Sequence, residues 1–363
     1  MTFLTRRSSR SSQVGAPAEN PLPRGESLRN AVVGLAGPAA RLARSRAARW
    51  GFVAVAVGLA VWAVVAQRTE VASALRRLDA ATLVAAALAT AGNVLLAGMV
   101  WWTAMSDLGS RLPLRVAARI FYIGQLGKYV PGSVWPLIAQ AELGRDHKVP
   151  RRRTATATVV TMLLGVTSAL LLALITLPLA PGGVLPAGVG WVQLLVIPLL
   201  IVLHPAVLSR GVNRALRLAG REPLEHPTSL GGTARATAWA VGSWAFAGLQ
   251  VFVLAVGLGA PADAGTLALA VGGYALAWAV GFVVVVAPAG AGARELVLAA
   301  FLSRVLDSGS IVVAVLLSRV LFTCLDLGLA GLAMIAVRRH LPAAAAGGGP
   351  PESGANNGRG GGS

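Results

Sequence analysis

The sequence predicts an all-α membrane protein, a polytopic helix bundle of about seven or eight transmembrane helices with one or two re-entrant or broken helices. Three observations support this fold class. Hydrophobic residues make up 55% of the 363 residues and charged residues only 13%, with a mean hydropathy of +0.69, which is more apolar than a soluble domain needs. Apolar runs long enough to cross about 30 Å of hydrocarbon recur along the chain. Arginines concentrate in the tails and in alternate loops, the pattern that encodes membrane topology.

Seven apolar runs are predicted to be transmembrane helices, because each holds about 17–25 mostly apolar residues. In chain order they are Trp50–Ala66, Ala81–Met105, Thr154–Leu177, Val189–His204, Ala236–Gly257, Gly265–Val286 and Ile311–Val337. An eighth run, Ala291–Leu306, contains Arg294, Glu295 and Arg304. It is interpreted either as a short crossing or as a re-entrant helix.

The basic loops predict a re-entrant segment. With the N-terminus in the cytoplasm, the second span returns there and leads into the basic loop Asp107–Arg119. The next basic loop, Arg145–Arg153, also belongs in the cytoplasm by the positive-inside rule. Both loops lie on one side only if Ile120–Leu143 enters the bilayer and leaves it on the same side. The Pro131-Gly132 pair near the middle of this segment would form the turn.

The other loops agree with this orientation. Pro178–Gly188 has no charge and Leu258–Asp263 is short and acidic, so both are expected outside, whereas Ser209–Arg235 carries five arginines and is expected inside. The two arginines after the last span favour a cytoplasmic C-terminus, which requires Ala291–Leu306 to cross outward. We therefore expect eight crossings. If Ala291–Leu306 only dips into the bilayer, the C-terminus lies outside.

The ends of the chain differ in composition from the middle. Residues 1–47 are predicted to be a disordered, basic cytoplasmic tail and residues 341–363 a disordered Gly-rich tail, with a transmembrane domain over residues 48–340. The stretch before Trp50 has nine arginines and is longer than a cleavable signal peptide. The net charge of +18 is assigned to contact with anionic lipid headgroups and not with nucleic acid. The single cysteine, Cys324, excludes an intramolecular disulfide.

The segment from Gln125 to Trp135 interrupts the apolar pattern with Lys128 and the Pro-Gly pair. Broken helices at membrane depth line cavities, because lipid cannot satisfy their backbone polar groups. A half-helix that starts after this break would aim free N–H groups at the membrane interior, beside Lys128 and the amphipathic rings of Tyr129 and Trp135. We interpret the segment as a receptor for a phosphate or another anionic headgroup. Alternatively, its glycines permit tight packing and Lys128 extends its charge to the interface.

A second broken segment is predicted at Ala287–Glu295, where Pro288 is followed by small residues. Such a proline ends one helix and the next begins after it, with Glu295 in the first turn, well placed against the helix dipole, and Arg294 beside it. Two Pro/Gly-interrupted apolar segments in corresponding halves of a membrane protein are a pointer to a transporter binding site.

Arg319 and Asp326 lie seven residues apart in the last span, and therefore on nearly the same helix face. They are too far apart to touch directly but are able to share partners from other helices. Charges at this depth are costly and usually face the bundle interior. The two residues are interpreted either as parts of a structural ion-pair network with Arg294 and Glu295 or as residues for substrate contact or proton coupling.

The sequence presents no catalytic or metal-binding constellation. The four histidines are isolated from one another and lack metal-ligand spacing. Membrane enzymes that act on polyprenyl phosphates usually need acidic residues near an outer loop as base or metal ligand, and the candidate loop offers only Glu70 and Asp79. We therefore expect no enzymatic activity, no metal and no cofactor.

Two motifs in the chain carry a family resemblance. The first comprises Gly124-Gln125-Leu126 with Pro131-Gly132, and the second comprises Pro288, Gly290, Gly292, Arg294 and Glu295. They resemble the motifs of the lysylphosphatidylglycerol synthase transmembrane-region family, a flippase-like domain also found on some glycosyltransferases. In the second motif Ala289 replaces a glycine, and Arg319 matches an arginine early in the family's last helix. The similarity covers roughly Ala48–Arg339.

The resemblance implies translocation of a lipid between leaflets, such as an aminoacylated phospholipid or a polyprenyl-linked sugar. It also implies an envelope-lipid synthase or a glycosyltransferase as a partner besides membrane lipids. Many members have Gly-Glu where this chain has Trp135-Pro136, so a carboxylate is missing and the substrate is expected to differ. From the motifs and the charges together, the residues expected to bind lipid are Gln125, Lys128, Tyr129, Pro131, Gly132, Trp135, Pro288, Gly290, Gly292, Arg294, Glu295, Arg319 and Asp326.

Three functions are compatible with the sequence. The first, which we favour, is a lipid flippase or lipid-transport component of a bacterial inner membrane; the bacterial source is inferred from the Arg-, Ala- and Gly-rich composition. The second is a glycosyltransferase that depends on a polyprenyl phosphate. The third is a non-transporting accessory subunit of an envelope-lipid synthase, a role with which the absence of a Walker A motif is consistent.

Overall fold

Eleven α-helices and no strand are present in the part of the chain that the computed structural model describes. This part comprises residues 65–129, 135–182, 190–218, 220, 222–224, 226–283 and 292–338, with the single positions 58 and 61. The helices are α1 (Arg68–Arg77), α2 (Ala80–Asp107), α3 (Leu114–Gln125), α4 (Trp135–Arg145), α5 (Arg151–Thr176), α6 (Val196–Leu203), α7 (Pro205–Leu218), α8 (Leu230–Gly257), α9 (Ala264–Val283), α10 (Ala293–Leu302) and α11 (Ser308–Arg338). Turns of 3-10 helix follow α3 at Leu126–Tyr129 and α5 at Leu177–Leu179, and precede α6 at Gly190–Leu195.

Five of these helices, α2, α5, α8, α9 and α11, are long and apolar enough to cross a membrane, and residues 190–218 make a sixth if the bent pair formed there counts as one span. A helix of 28 residues such as α2 is about 42 Å long, more than the hydrocarbon core requires. The all-α bundle predicted from the sequence is confirmed, and the protein is a multi-pass membrane protein. Most of the first predicted span, Trp50–Ala66, and both predicted tails lie outside the described residues.

Local sequence signals set the ends of the long helices. Asp79 and Ser229 accept hydrogen bonds from the backbone N–H groups of the third residue in α2 and α8, at 2.8 and 2.9 Å, as N-cap side chains do. Two residues after α2 and α8, Gly109 and Gly259 adopt left-handed φ angles of 88° and 106°, which close the helices at little steric cost.

The loops gather at two opposite ends of the bundle. At one end Ser229 bonds Asp107, with the backbone N–H donating at 2.9 Å, and Arg152 lies 2.6 Å from Glu222. We name this end the basic end. At the opposite end Arg77 donates to the carbonyl of Leu258 and pairs with Asp307. These two groups of loops correspond to the two groups that the charge pattern of the sequence assigns to opposite sides of the membrane.

Helices α3 and α4 form a short antiparallel pair. They hold 12 and 11 residues and are therefore about 16–18 Å long, too short to cross the hydrocarbon core. Gly124 lies against the Gln140 side chain and Gly127 against the backbone of Pro136, while Arg119 Nη1 lies 3.4 Å from His147 Nε2. Both outer ends of the pair therefore lie at the basic end, as predicted for the re-entrant segment Ile120–Leu143.

Helix α10 begins in the middle of the bundle. Arg294, in its first turn, contacts Tyr274, which lies halfway along α9. Arg304, just after the helix, donates to the carbonyl of Gly182 at the opposite end. The helix is only ten residues long, about 15 Å. The described part of the predicted run Ala291–Leu306 thus leads from the interior of the bundle to the end that the sequence predicts to be outside. Helix α11 then leads back from that end.

Residues 190–218 differ from the sequence prediction. The predicted helix Val189–His204 is a 3-10 turn followed by the eight-residue α6. Helix α7 then starts at Pro205, inclined by 75° to the preceding segment, and occupies the first half of what the sequence predicts to be a basic loop. Proline at the first helical position initiates a helix because its missing N–H needs no partner there. The arginines of this region are therefore helical surface residues.

Small residues allow the central helices to approach closely. Gly248 of α8 lies directly against Val271 of α9, and Gly272 of α9 lies against Thr176 and Leu177. Close backbone approach of this kind is typical of helices packed in a membrane, where burial of apolar surface adds little. The main apolar cluster is formed mostly by α5, α8, α9, α10 and α11, with further residues from α1 and α2.

Candidate functional site

Helix α11 presents three polar side chains on one face near its middle. Arg319, Thr323 and Asp326 are spaced by four and three residues, which places them along one stripe of an α-helix. The Thr323 hydroxyl donates to the Arg319 carbonyl at 2.9 Å. The side chain of Asp326 is only 3% exposed, so its charge needs a partner within the protein.

The 3-10 turn after α3 supplies that partner. Lys128 Nζ lies 2.6 Å from Asp326 Oδ2, and the Tyr129 hydroxyl donates to the same carboxylate oxygen at 2.6 Å. Tyr129 also lies 3.5 Å from the Thr323 hydroxyl. About a third of the Lys128 side chain is exposed. The first broken segment is thereby attached to the middle of α11.

The second broken segment reaches α11 through Glu295. One carboxylate oxygen, Oε1, accepts from Arg319 Nη1 at 2.7 Å, and the other, Oε2, accepts from the Gly292 N–H at 2.6 Å. Gly292 has a φ of 86°, a conformation in which a residue with a side chain is strained. About a quarter of each side chain in the Glu295–Arg319 pair is exposed. Glu295 therefore caps α10 and holds its first turn to α11.

Arg294 has a different environment. Its guanidinium lies 4.6 Å from the centroid of the Tyr274 ring and 5.3 Å from that of Phe322, and it donates to the Tyr274 hydroxyl. The two rings stack on each other with centroids 5.7 Å apart. Cation–π contacts hold a guanidinium without neutralising it. Among the described residues no carboxylate lies within ion-pair distance of Arg294.

We name the group of side chains around the middle of α11 the polar centre. It comprises Lys128, Tyr129, Tyr274, Arg294, Glu295, Arg319, Phe322, Thr323 and Asp326. Its described residues contain three basic side chains and two acidic ones. Lys128 is paired with Asp326 and Arg319 with Glu295, so Arg294 supplies an excess positive charge. Such an excess charge stabilises an anion more strongly in a partly buried site than in bulk water.

Only some of the predicted site residues contact one another in the structure. Gln125 ends α3 and Trp135 begins α4, one on each side of the first break, whereas Pro131, Gly132, Pro288 and Gly290 lie outside the described residues. The four charges that the sequence grouped as one network form separate contacts. Glu295 and Arg319 pair directly, Asp326 pairs with Lys128, and Arg294 lies against two aromatic rings.

Three residues of the polar centre were missed by sequence reasoning. Thr323 follows Arg319 by four residues, so the same helical spacing that linked Arg319 to Asp326 could have identified it. Tyr274 is one of only three tyrosines and lies inside an otherwise apolar span, a position where its hydroxyl needs a partner. Phe322 gave no such signal, because an aromatic ring in an apolar helix is ordinary.

The acids near the candidate outer loop have structural contacts. Hydrogen bonds from the Thr82 hydroxyl and backbone N–H hold the pKa of Asp79 below its usual value, because they stabilise the ionised form. The backbone of Glu70 lies against Gly309 at the start of α11. Asp79 is thus committed to capping α2.

Comparison with known proteins agrees with this architecture. The family model described as "Lysylphosphatidylglycerol synthase TM region" matches residues 50–331, which include both broken segments and the middle of α11. No curated protein matches the chain. Because the match covers well over half of the sequence, the chain belongs to the lysylphosphatidylglycerol synthase transmembrane-region family, which places it among membrane proteins of lipid metabolism or transport.

Proposed function

We propose that this protein binds an anionic or polyprenyl-linked lipid at the polar centre and moves it between the leaflets of a bacterial inner membrane. The observation that carries the proposal is the excess positive charge of Arg294, which lies against the stacked rings of Tyr274 and Phe322 with no carboxylate partner among the described residues. A phosphate group supplies the missing negative charge and accepts hydrogen bonds from a guanidinium in a matching geometry.

The position of Arg294 favours a lipid headgroup over a free ion. Arg294 lies in the first turn of α10, where the positive end of the helix dipole also attracts an anion. Lys128, Glu295 and Arg319 are each about a quarter to a third exposed, so the polar centre is open to its surroundings. A headgroup can enter there while the acyl chains stay in the bilayer, whereas a free ion would have to leave water completely.

Lys128 can bind the lipid headgroup only if it exchanges its present partner, the carboxylate of Asp326, for the headgroup. Its ammonium already contacts Asp326, so an anionic headgroup must displace that carboxylate before Lys128 can bind it. Arg294 has no such competitor among the described residues. We therefore assign first contact with the headgroup to Arg294 and a later contact to Lys128, as the headgroup passes along the stripe formed by Arg319, Thr323 and Asp326.

The orientation follows from the positive-inside rule. The basic end collects loops with Arg111, Arg152 and Arg153, and we place it in the cytoplasm together with the N-terminus. The pair α3–α4 then enters the membrane from the cytoplasmic side. Helix α10 leads from the polar centre to the outer end, so the two broken segments approach the middle of α11 from opposite leaflets.

Reconstitution tests this function. Proteoliposomes should contain the purified protein and a trace of fluorescent phosphatidylglycerol, fluorescent phosphatidylcholine or a labelled polyprenyl phosphate, with accessibility to an impermeant quencher as readout. We expect faster leaflet exchange of at least one of the two anionic lipids than of phosphatidylcholine. Equal exchange of all three would contradict headgroup recognition. No exchange of any lipid, with normal binding to a purified envelope-lipid synthase, would support the accessory-subunit function.

A matched pair of variants connects the activity to the polar centre. Arg294→Gln removes the excess charge, whereas Arg304→Gln removes an arginine just after α10 whose only side-chain hydrogen bond among the described residues is to the Gly182 carbonyl, at the opposite end of the bundle from the basic end. We expect the first variant to lose most of the anionic preference and the second to keep it. Equal effects of the two substitutions would contradict the role assigned to Arg294.

A further inference from the structure

We propose that helix α7 is a second lipid-binding element, which lies along the membrane boundary at the basic end and binds the phosphates of anionic phospholipids through Arg210, Arg214 and Arg217. This surface is separate from the polar centre. Helix α7 has four sides, each defined by its own residues. The order of these sides around the helix axis gives the orientation of the helix in the membrane.

The first side packs against the bundle. Leu208 and Val212 are buried in one cluster with Val100 of α2, Val160 of α5 and Ala236 of α8. These three residues lie about two turns from the basic ends of their helices. Helix α7 therefore packs beside the bundle at this depth and does not lie over its end.

The second side is bound to the loop that precedes α8. The Asn213 carboxamide oxygen accepts from the Leu224 N–H at 2.7 Å, and the Ser209 hydroxyl oxygen accepts from the Thr228 N–H at 3.1 Å. This loop belongs to the basic end, which projects into water. Ser209 and Asn213 thus mark the side of α7 that faces away from the membrane.

The third side carries the arginines. Positions 210, 214 and 217 have the spacing i, i+4, i+7 and fall within about 60° of one another around the helix axis. Arg210, Arg214 and Arg217 are exposed, and none of their side chains forms an ion pair or hydrogen bond within the described part of the chain. Three cations on one stripe repel each other unless anions lie nearby.

The fourth side is apolar and partly exposed. Val207, Gly211 and Leu218 lie next to the arginine stripe on the side opposite to Ser209 and Asn213; Val207 is half-buried, whereas Leu218 is 82% exposed. Because the helix is attached to the side of a membrane-spanning bundle, this apolar side faces lipid. The arginines then lie between the water-facing and the lipid-facing sides, at the level of the headgroup phosphates.

A local quenching measurement tests the proposal. Leu218→Cys in a Cys324→Ser background is labelled with a fluorophore, and the protein is reconstituted with phosphatidylglycerol or phosphatidylcholine that carries a quencher near the top of an acyl chain. We expect quenching by both lipids and a clear preference for phosphatidylglycerol. Adding Arg210→Gln and Arg217→Gln should lower that preference at least about fivefold, the factor that corresponds to one arginine near an anionic surface.

The control variant carries Arg111→Gln and Arg115→Gln. These two arginines are also exposed and also lie near the basic end, so their removal changes the net charge of that end by the same amount. We expect the control to keep the preference for phosphatidylglycerol. Equal losses in both double variants would show diffuse attraction by net charge and overturn the site, and absence of quenching by either lipid would overturn the orientation of α7. Neither readout depends on lipid transport.

Discussion

Glu295 and Arg319 form an ion pair, with 2.7 Å between Oε1 and Nη1, that ties the first turn of α10 to the middle of α11. The second oxygen of Glu295 accepts from the N–H of Gly292, so the same carboxylate also caps α10. Removal of either partner leaves a charge at membrane depth with fewer contacts. This pair is therefore expected to matter for stability as well as for the electrostatics of the polar centre.

A double-mutant cycle measures this coupling. Glu295→Gln and Arg319→Gln should each lower stability in detergent by about 1–3 kcal/mol, less than the ~3–5 kcal/mol of a fully buried pair, because about a quarter of each side chain is exposed. The double variant should lose less than the sum of the two effects, yet remain inactive in lipid transport. Thermal unfolding and leaflet exchange are the two measurements.

The exposed pair Arg77–Asp307 provides the control for this cycle, since about half of each side chain is exposed and such pairs contribute little. Its cycle, made with Arg77→Gln and Asp307→Asn, should give coupling near zero. Additive losses at Glu295 and Arg319 would show that the two residues do not interact. Full recovery of transport in their double variant would assign them to folding alone.

Lys128 is expected to affect both stability and transport. Lys128→Ala leaves the carboxylate of Asp326 almost fully buried without its cation, and should cost about 3–5 kcal/mol. Asp326→Asn in the same chain should restore part of that stability, because it removes the stranded charge. Lys128→Arg should keep a good part of the transport activity that Lys128→Ala loses. Equal losses of transport in the Ala and Arg variants, at normal expression, would indicate packing around the lysine stem instead.

Tyr129 and Tyr122 make a matched comparison. Tyr129→Phe removes a hydrogen bond to the Asp326 carboxylate and should destabilise the protein by about 1.5–3 kcal/mol, the range for bonds to charged groups. Tyr122 lies in α3, one turn before the 3-10 turn, and its hydroxyl makes no hydrogen bond within the described residues. Tyr122→Phe should therefore be nearly neutral. If the two variants unfold at the same temperature, Tyr129 does not support Asp326.

Much of the fold follows from run length and charge. The five long spans were predicted because an apolar run of about 20 residues has few alternatives to a membrane helix. The same-side ends of α3 and α4 were predicted from the basic loops alone. Helix α7 was missed because its arginine density favoured a loop, although the i, i+4, i+7 spacing of Arg210, Arg214 and Arg217 and the apolar residues opposite them indicate an amphipathic helix.

The polar centre was only partly predictable. The sequence gives the approximate depth of a charged residue in a membrane span. Residues at similar depths in different helices are the ones that can contact each other. It does not give the rotation of each helix or its neighbours, so the contact of Lys128 and Tyr129 with Asp326, 197 residues beyond Tyr129, could not be derived. The same limit applies to Arg294, whose partners Tyr274 and Phe322 belong to two other helices.

Topology is tested by single cysteines in a Cys324→Ser background. Cysteines at Arg111, Arg151 and Gly220, all exposed and at the basic end, should be protected from an impermeant reagent added outside intact cells. A cysteine at Ala262, exposed in the loop between α8 and α9, should react. Reaction at Arg151 with protection at Arg111 would mean that Ile120–Leu143 crosses the membrane, which would contradict the re-entrant pair.

Headgroup crosslinking tests most directly whether the polar centre receives an anionic lipid. Phosphatidylglycerol with a photoreactive group on its headgroup is added to the reconstituted protein, and the crosslinked peptides are identified by mass spectrometry. Crosslinks are predicted in the first turn of α10 and in the middle of α11, and Arg294→Gln should abolish them while Arg304→Gln preserves them. Crosslinks confined to α7 and the other surface helices, unchanged by Arg294→Gln, would contradict the proposed site.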